Sequence, residues 1–165
     1  MALSFDPIAE ARRQWKQHDL GAVDAMAAAT SITRAHQLIL GRINDALKPF
    51  GLTFSRFEAL TLLSFATDHA LPLGKMGERL MVHPTSVTNT IDRLEADGLV
   101  QRLPHPEDRR TTLAQLTDVG RKVAREAGKA LEEIEFGLAE LKVAELRSIE
   151  ADITALRERS NDFNT

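Results

Sequence analysis

Apolar residues recur at helical spacing along most of the chain. Ile32, Ile39, Ile43 and Leu47 mark one face of a long helix predicted over 24–47. Asp24 stands at its N-cap or in its first turn, and Pro49 and Gly51 end it. Upstream, Pro7 opens a short helix over 8–18. Downstream, Thr53 or Ser55 caps a helix running to about Ala66, with Phe57, Leu60, Leu63 and Phe65 turned inward. Residues 68–72 read as a loop.

The next stretch changes character. Residues 74–81 form a short helix, Val82-His83 a tight turn, and Pro84 sits where proline suits the first turn of another helix. That helix, PTSVTNTIDRLEAD, stops before Gly98 and carries an apolar stripe of Val87, Ile91 and Leu94. Two short strands are then predicted at 99–103 and 112–116, joined by the charged loop His105-Pro106-Glu107-Asp108-Arg109-Arg110. Thr117 caps a last helical stretch, reaching about residue 158, with Asp118 in its first turn. Its apolar positions fall into two runs, Leu131, Ile134, Leu138, Leu141 and then Leu146, Ile149, Ile153, Leu156. The runs are out of register, which predicts two helices with a bend between 137 and 146, where Gly137 is a candidate.

Short helix, turn, helix and two-stranded ribbon with a basic tip make a winged helix-turn-helix. The predicted fold class is therefore mainly α, with a short two-stranded β-wing between long N- and C-terminal helices. In such a fold the second helix keeps one stripe on the core and offers the other face to the major groove. Thr85, Ser86, Thr88, Asn89 and Asp92 lie on that other face. Ser and Thr bond phosphates or base edges, and Asn pairs bidentately with adenine. Arg93 reads as a phosphate contact or an intramolecular partner. Lys75, opening the preceding helix, reads as a phosphate contact or a plain surface lysine. At the ribbon tip, Arg109 and Arg110 suit the narrow minor groove, and Asp108 is expected to hold one of them through a salt bridge.

Charge supports this only by its distribution. The net charge is −3, but residues 73–125 carry nine basic against seven acidic side chains, whereas residues 126–165 carry five against ten. The basic excess coincides with the reading helix and the ribbon, so weak non-specific affinity for DNA is expected rather than none. Glu132, Glu133, Glu135 and Glu140 read as the solvated face of an interface helix.

Other chemistries are excluded in turn. The chain has no cysteine, which removes disulfides, thiolate zinc sites and sensing by cysteine oxidation. His18, His36, His69, His83 and His105 are dispersed without a metal-ligand spacing, so no metal is expected. With no phosphate loop, Gly-x-Ser-x-Gly or zinc signature, neither catalytic residues nor a cofactor are expected. No apolar run approaches the roughly 18 residues of a membrane span, and the N-terminus carries charges where a signal peptide needs apolar residues. A cytoplasmic location follows as the expectation.

The segments MGERLMVHPTSVTNTIDRLEADGLVQR (76–102) and HPEDRRTTLAQLTDVGR (105–121) resemble the MarR family of transcriptional regulators. The family's wing pattern matches Asp108, Arg109, Arg110, Leu116, Thr117 and Gly120, and the likeness extends over about 24–158. The resemblance implies one domain over 1–165. Its parts would be an N-terminal extension (1–23), dimerisation helices (24–52 and 117–160) and a winged helix-turn-helix lobe (53–116). It implies a homodimer on a pseudopalindromic double-stranded operator, acting as a repressor released by a small aromatic or phenolic effector. The long C-terminal helices agree, showing more apolar surface than one small domain buries. His36, Phe57 and Trp15 are the candidate effector contacts, with ordinary packing as the other reading of each. Three positions depart from the family pattern: Met81 stands where glycine is usual, Gly77 where alanine is, and Thr90 where an apolar residue is. Trp15 is similar to a tryptophan of a urate-responsive subgroup. That subgroup has arginine at the position of Thr90 and aspartate at that of Glu58, which argues against urate. The competing function is a dimeric winged-helix interaction module without specific DNA binding.

Overall fold

The computed structural model describes residues 3–108 and 110–163. Ten elements follow in order: α1 (Pro7–Gln17), α2 (Val23–Leu47), α3 (Phe54–Ser64), β1 (Ala70–Pro72), α4 (Leu73–Leu80), α5 (Pro84–Ala96), β2 (Val100–Pro104), β3 (Thr112–Leu116), α6 (Asp118–Glu133) and α7 (Val143–Arg159). Single 3₁₀ turns lie at Lys48–Phe50, Thr67–His69 and Glu135–Gly137. No helix among the described residues is long and apolar enough to cross a membrane.

The local chemistry of the chain explains the helix ends. Asp6 caps α1, its carboxylate accepting from the Ile8 N–H at 2.9 Å, with Pro7 at the first helical position. Trp15 donates its indole N–H to the Gly21 carbonyl at 3.0 Å, and Arg12 pairs with Asp24, so α1 is tied to the start of α2. Thr53 caps α3 and Thr117 caps α6. At the centre of the fold, Leu47, Leu60, Leu63, Met76, Ile91, Leu94, Val100 and Leu131 are fully buried. They come from α2 through α6, so one core joins the lobe to the flanking helices.

The sheet has three strands in the order β1-β3-β2, all antiparallel. This corrects the loop expected over 68–72. Ala70, Leu71 and Pro72 pair with Gln115, Ala114 and Leu113, and Pro72 is tolerated because β1 is an edge strand. Phe65 is a second correction: it lies just beyond the end of α3 and is 81% exposed. It follows Leu63 by two residues, which on a helix turns it to the opposite side.

The expected bend near Gly137 is present, but the chain already leaves the helix at Ile134. Glu135 and Phe136 adopt φ of 45° and 53°. Arg42 of α2 clasps the break, donating to the Gly137 carbonyl and pairing with Glu140 at 3.0 Å. Helix α7 restarts with the Glu145 carboxylate accepting from the Lys142 N–H at 2.8 Å. None of its residues is buried, and Val143, Ile149 and Leu156 are about half exposed or more.

Met81, between α4 and α5, has φ 54° and ψ 40° and a largely exposed side chain. A left-handed backbone strains a residue with a Cβ by roughly 1 kcal/mol. Met81→Gly is therefore expected to raise stability by about 0.5–1 kcal/mol in urea denaturation. A loss of stability would show that the Met81 side chain contributes more than its backbone costs.

Candidate nucleic-acid interface

Helix α5 is held so that one face is core and the other solvent. Val87, Ile91 and Leu94 are 2% exposed or less. Thr85, Ser86, Thr88, Asn89, Asp92 and Arg93 are all exposed. Thr88 donates its hydroxyl to the Pro84 carbonyl at 3.2 Å, leaving its lone pairs outward. Among the described residues, the side chains of Ser86, Asn89 and Arg93 have no hydrogen-bond or ionic partner. They line an open polar cleft with Thr53, Ser55 and Arg56 at the start of α3.

Asp92 is not a free member of this face. Arg102 of β2 reaches it at 2.5 Å and also pairs with Glu95, whose carboxylate accepts from the Arg102 backbone N–H at 3.0 Å. Partial burial works against the Arg102 charge, but its hydrogen bonds to Glu95 and Asp92 prevail and hold the guanidinium above its ordinary range. At the end of the helix, Arg56 of α3 pairs with Asp97 while donating to the Gly51 carbonyl at 2.8 Å. Two arginines from different elements thus fix the C-terminal half of α5. Sequence reasoning missed both, because each pair joins residues whose proximity only the topology supplies.

The ribbon β2–β3 carries the basic loop. Arg110 is exposed and Arg109 lies outside the described residues. The expected salt bridge from Asp108 is not made to Arg110. Instead the carboxylate accepts from the Thr111 hydroxyl at 2.7 Å and from the Arg110 backbone N–H at 3.0 Å. Those bonds, the hydroxyl foremost, lower the Asp108 pKa. The short carboxylate folds back on its own turn, as Asp often does in loops, and leaves the Arg110 guanidinium outward.

The remaining sequence-marked residues are dispersed. Lys75 is exposed on α4. Phe57 is 7% exposed, its ring stacked on Phe54 with centroids 6.5 Å apart. His36 is exposed on α2, and Trp15 anchors α1. The cavities nearest these elements are lined by other side chains. One, of about 290 Å³, lies directly under α5 among Glu58, Ala59, Met76, Leu80, Val87 and Thr90. Partial burial raises the Glu58 pKa above the ordinary carboxylate range. A wider groove of about 710 Å³ runs between the start of α1 and the middle of α2. Among the described residues, no cluster of His, Asp and Glu is placed to hold a metal ion.

Comparison with known proteins places this geometry. The model of the MarR family matches residues 52–112, from just before α3 through the wing loop to the start of β3. The HTH-type transcriptional regulator MhqR of Bacillus subtilis is 34% identical over 89 residues, covering 54% of this chain and 60% of that regulator. The crystal structure of Sco5413, a MarR family transcriptional regulator from Streptomyces coelicolor, superposes with a TM-score of 0.80 at 49% identity, over 87% of this chain and 100% of that one. A mutant Escherichia coli MarR complexed with operator DNA shares the fold at 22% identity, with a TM-score of 0.73 over 81% of this chain and 95% of that one. The chain belongs to the MarR family and has its winged helix-turn-helix fold.

Proposed function

We propose that the protein binds double-stranded DNA as a homodimer and regulates transcription, with α5 in the major groove and the wing over the minor groove. The observation that carries this reading is the outer face of α5. Ser86, Asn89 and Arg93 stand exposed there, without partners among the described residues, on a helix clamped from behind, in a lobe whose wing also carries an exposed arginine. A surface meant for another protein would be expected to carry aromatic residues or methionine at its centre. Residues 53–116 form the reading lobe, residues 24–52 and 117–160 the dimerisation helices, and residues 1–23 an extension. The apolar face of α7, open in the single chain, suits a two-fold partner.

Release by a small aromatic or phenolic effector, and hence repression in the cytoplasm, belongs to the same reading. The cavity under α5 supports it, because Val87, Thr90 and Ile91 of the reading helix form part of its wall. A molecule bound there touches α5 directly, and it releases DNA to the extent that it binds the DNA-free arrangement of α5 more tightly than the DNA-bound one.

Substitution on the two DNA-facing elements tests the reading. Arg110→Ala is expected to weaken binding by about 1–3 kcal/mol and to flatten the salt dependence by about one charge. Asn89→Ala is expected to change sequence preference more than non-specific affinity. Unchanged binding at matched salt for Arg110→Ala, or a uniform loss across sequences for Asn89→Ala, would remove the role assigned to that residue.

A further inference from the structure

The chain contains two His-Pro pairs, His83-Pro84 and His105-Pro106, and the structure folds both in the same way. His83 accepts at Nδ1 from the Thr85 N–H at 3.2 Å, and His105 accepts at Nδ1 from the Glu107 N–H at 3.2 Å. The proline in between explains the repetition. It has no N–H, so the first backbone donor after each histidine is two residues on, within reach of Nδ1. One turn caps the reading helix; the other opens the wing loop.

The hydrogen bond has a chemical consequence. A ring nitrogen that accepts carries no proton, so each imidazole is the neutral tautomer with its proton on Nε2. Neither Nε2 has a partner among the described residues. His83 is exposed next to Thr85 and Ser86, and His105 is half-buried where β2 enters the wing loop. We propose that His83, and His105 in the same manner, are duplex contacts: uncharged donors that present Nε2–H to an acceptor on DNA, a phosphate oxygen or a base edge. The proposal rests on the DNA-binding reading and adds contacts that the Ser, Thr, Asn and Arg side chains of the face do not supply. Because the donors are neutral, they strengthen binding without releasing further counterions.

The experiment uses the full-length protein and the duplex that the wild type enriches from a random-sequence library, with an unselected duplex for comparison. His83→Asn separates capping from contact, since Asn caps helix N-termini well but is too short to present the distal donor. The expected result is an unchanged melting temperature, affinity for the selected duplex lower by about fivefold to tenfold, and an unaltered salt slope. A further loss in the His83→Asn/His105→Asn double variant would extend this to the wing. Loss on both duplexes marks a phosphate as the acceptor, and loss on the selected duplex alone marks a base edge. Wild-type affinity in His83→Asn would overturn the proposal, because the histidine would then be a cap alone. A salt slope smaller by about one charge would overturn the neutral tautomer. If the wild type enriches no sequence, the DNA-binding reading itself fails, a result distinct from either.

Discussion

Gly120→Ala is expected to cost about 3 kcal/mol or more and to leave little folded protein at moderate urea concentrations. Alanine is the better helix former by about 1 kcal/mol, so propensity alone predicts the opposite sign. Packing decides it. A Cβ at position 120 would stand 1.9 Å from the Leu99 carbonyl oxygen, 2.9 Å from its carbon and 3.0 Å from Leu116 Cδ1. The first two are backbone atoms that no rotamer change can move. They are also where the first turn of α6 is fastened: the Thr117 N–H donates to Leu99 O at 3.1 Å, its hydroxyl donates to Gly98 O at 2.8 Å, and the Gly120 N–H donates to that hydroxyl at 3.0 Å. Relieving the clash lifts α6 from the base of the wing and loosens those bonds together. Gly128→Ala is the control, since its Cβ would meet only a Phe57 ring atom at 4.0 Å, and it is expected to be neutral or mildly stabilising. A Gly120→Ala protein within about 1 kcal/mol of wild type would contradict the packing described.

Arg102→Ala is expected to weaken binding to the selected duplex by about 2–3 kcal/mol, roughly thirty- to a hundred-and-fiftyfold. The Arg102 side chain is 25% exposed and its partners more so, 55% for Asp92 and 39% for Glu95. Solvent therefore screens the pairs, and their contribution to folding is modest. The larger effect falls on DNA. Asp92 and Glu95 would be left as uncompensated acids beside the phosphate backbone, and α5 would lose its tie to β2. Lysine restores a charge but not the fork that serves two carboxylates, so Arg102→Lys is expected to recover part of the affinity. Asp92→Asn separates the roles: if Asp92 serves mainly to hold Arg102, this variant keeps the sequence preference of the wild type. Wild-type affinity in Arg102→Ala would show that α5 needs no clamp.

Much of this was legible in the sequence, and the parts that were not share a cause. Val87, Ile91 and Leu94 announced the buried side of α5 because a helical stripe is a local signal. Thr117 announced the start of α6 because capping needs only one side chain and the next turn. β1 stayed hidden because three residues carry no periodicity, and only pairing with β3 makes them a strand. The bend between α6 and α7 showed as two apolar runs out of register. Its position is set from outside by Arg42 of α2, 95 residues from Gly137 in sequence. The clamps of Arg102 and Arg56 likewise depend on which elements meet. Asp108 could not be read from charge alone: the oppositely charged neighbours suggested an ion pair, but toward Arg110 it is the loop's own N–H and hydroxyl donors that the short side chain meets.

Sequence-specific binding of double-stranded DNA can be measured by selecting duplexes from a random-sequence library with the full-length protein and titrating the recovered duplex with salt. Enrichment of an inverted repeat is expected. Binding to it should survive competitor DNA and weaken steeply as salt rises, because lysines and arginines displace counterions from the backbone. Recovery of no common sequence, with equally weak binding to every duplex, would contradict sequence-specific binding and favour a winged-helix dimer that binds another protein.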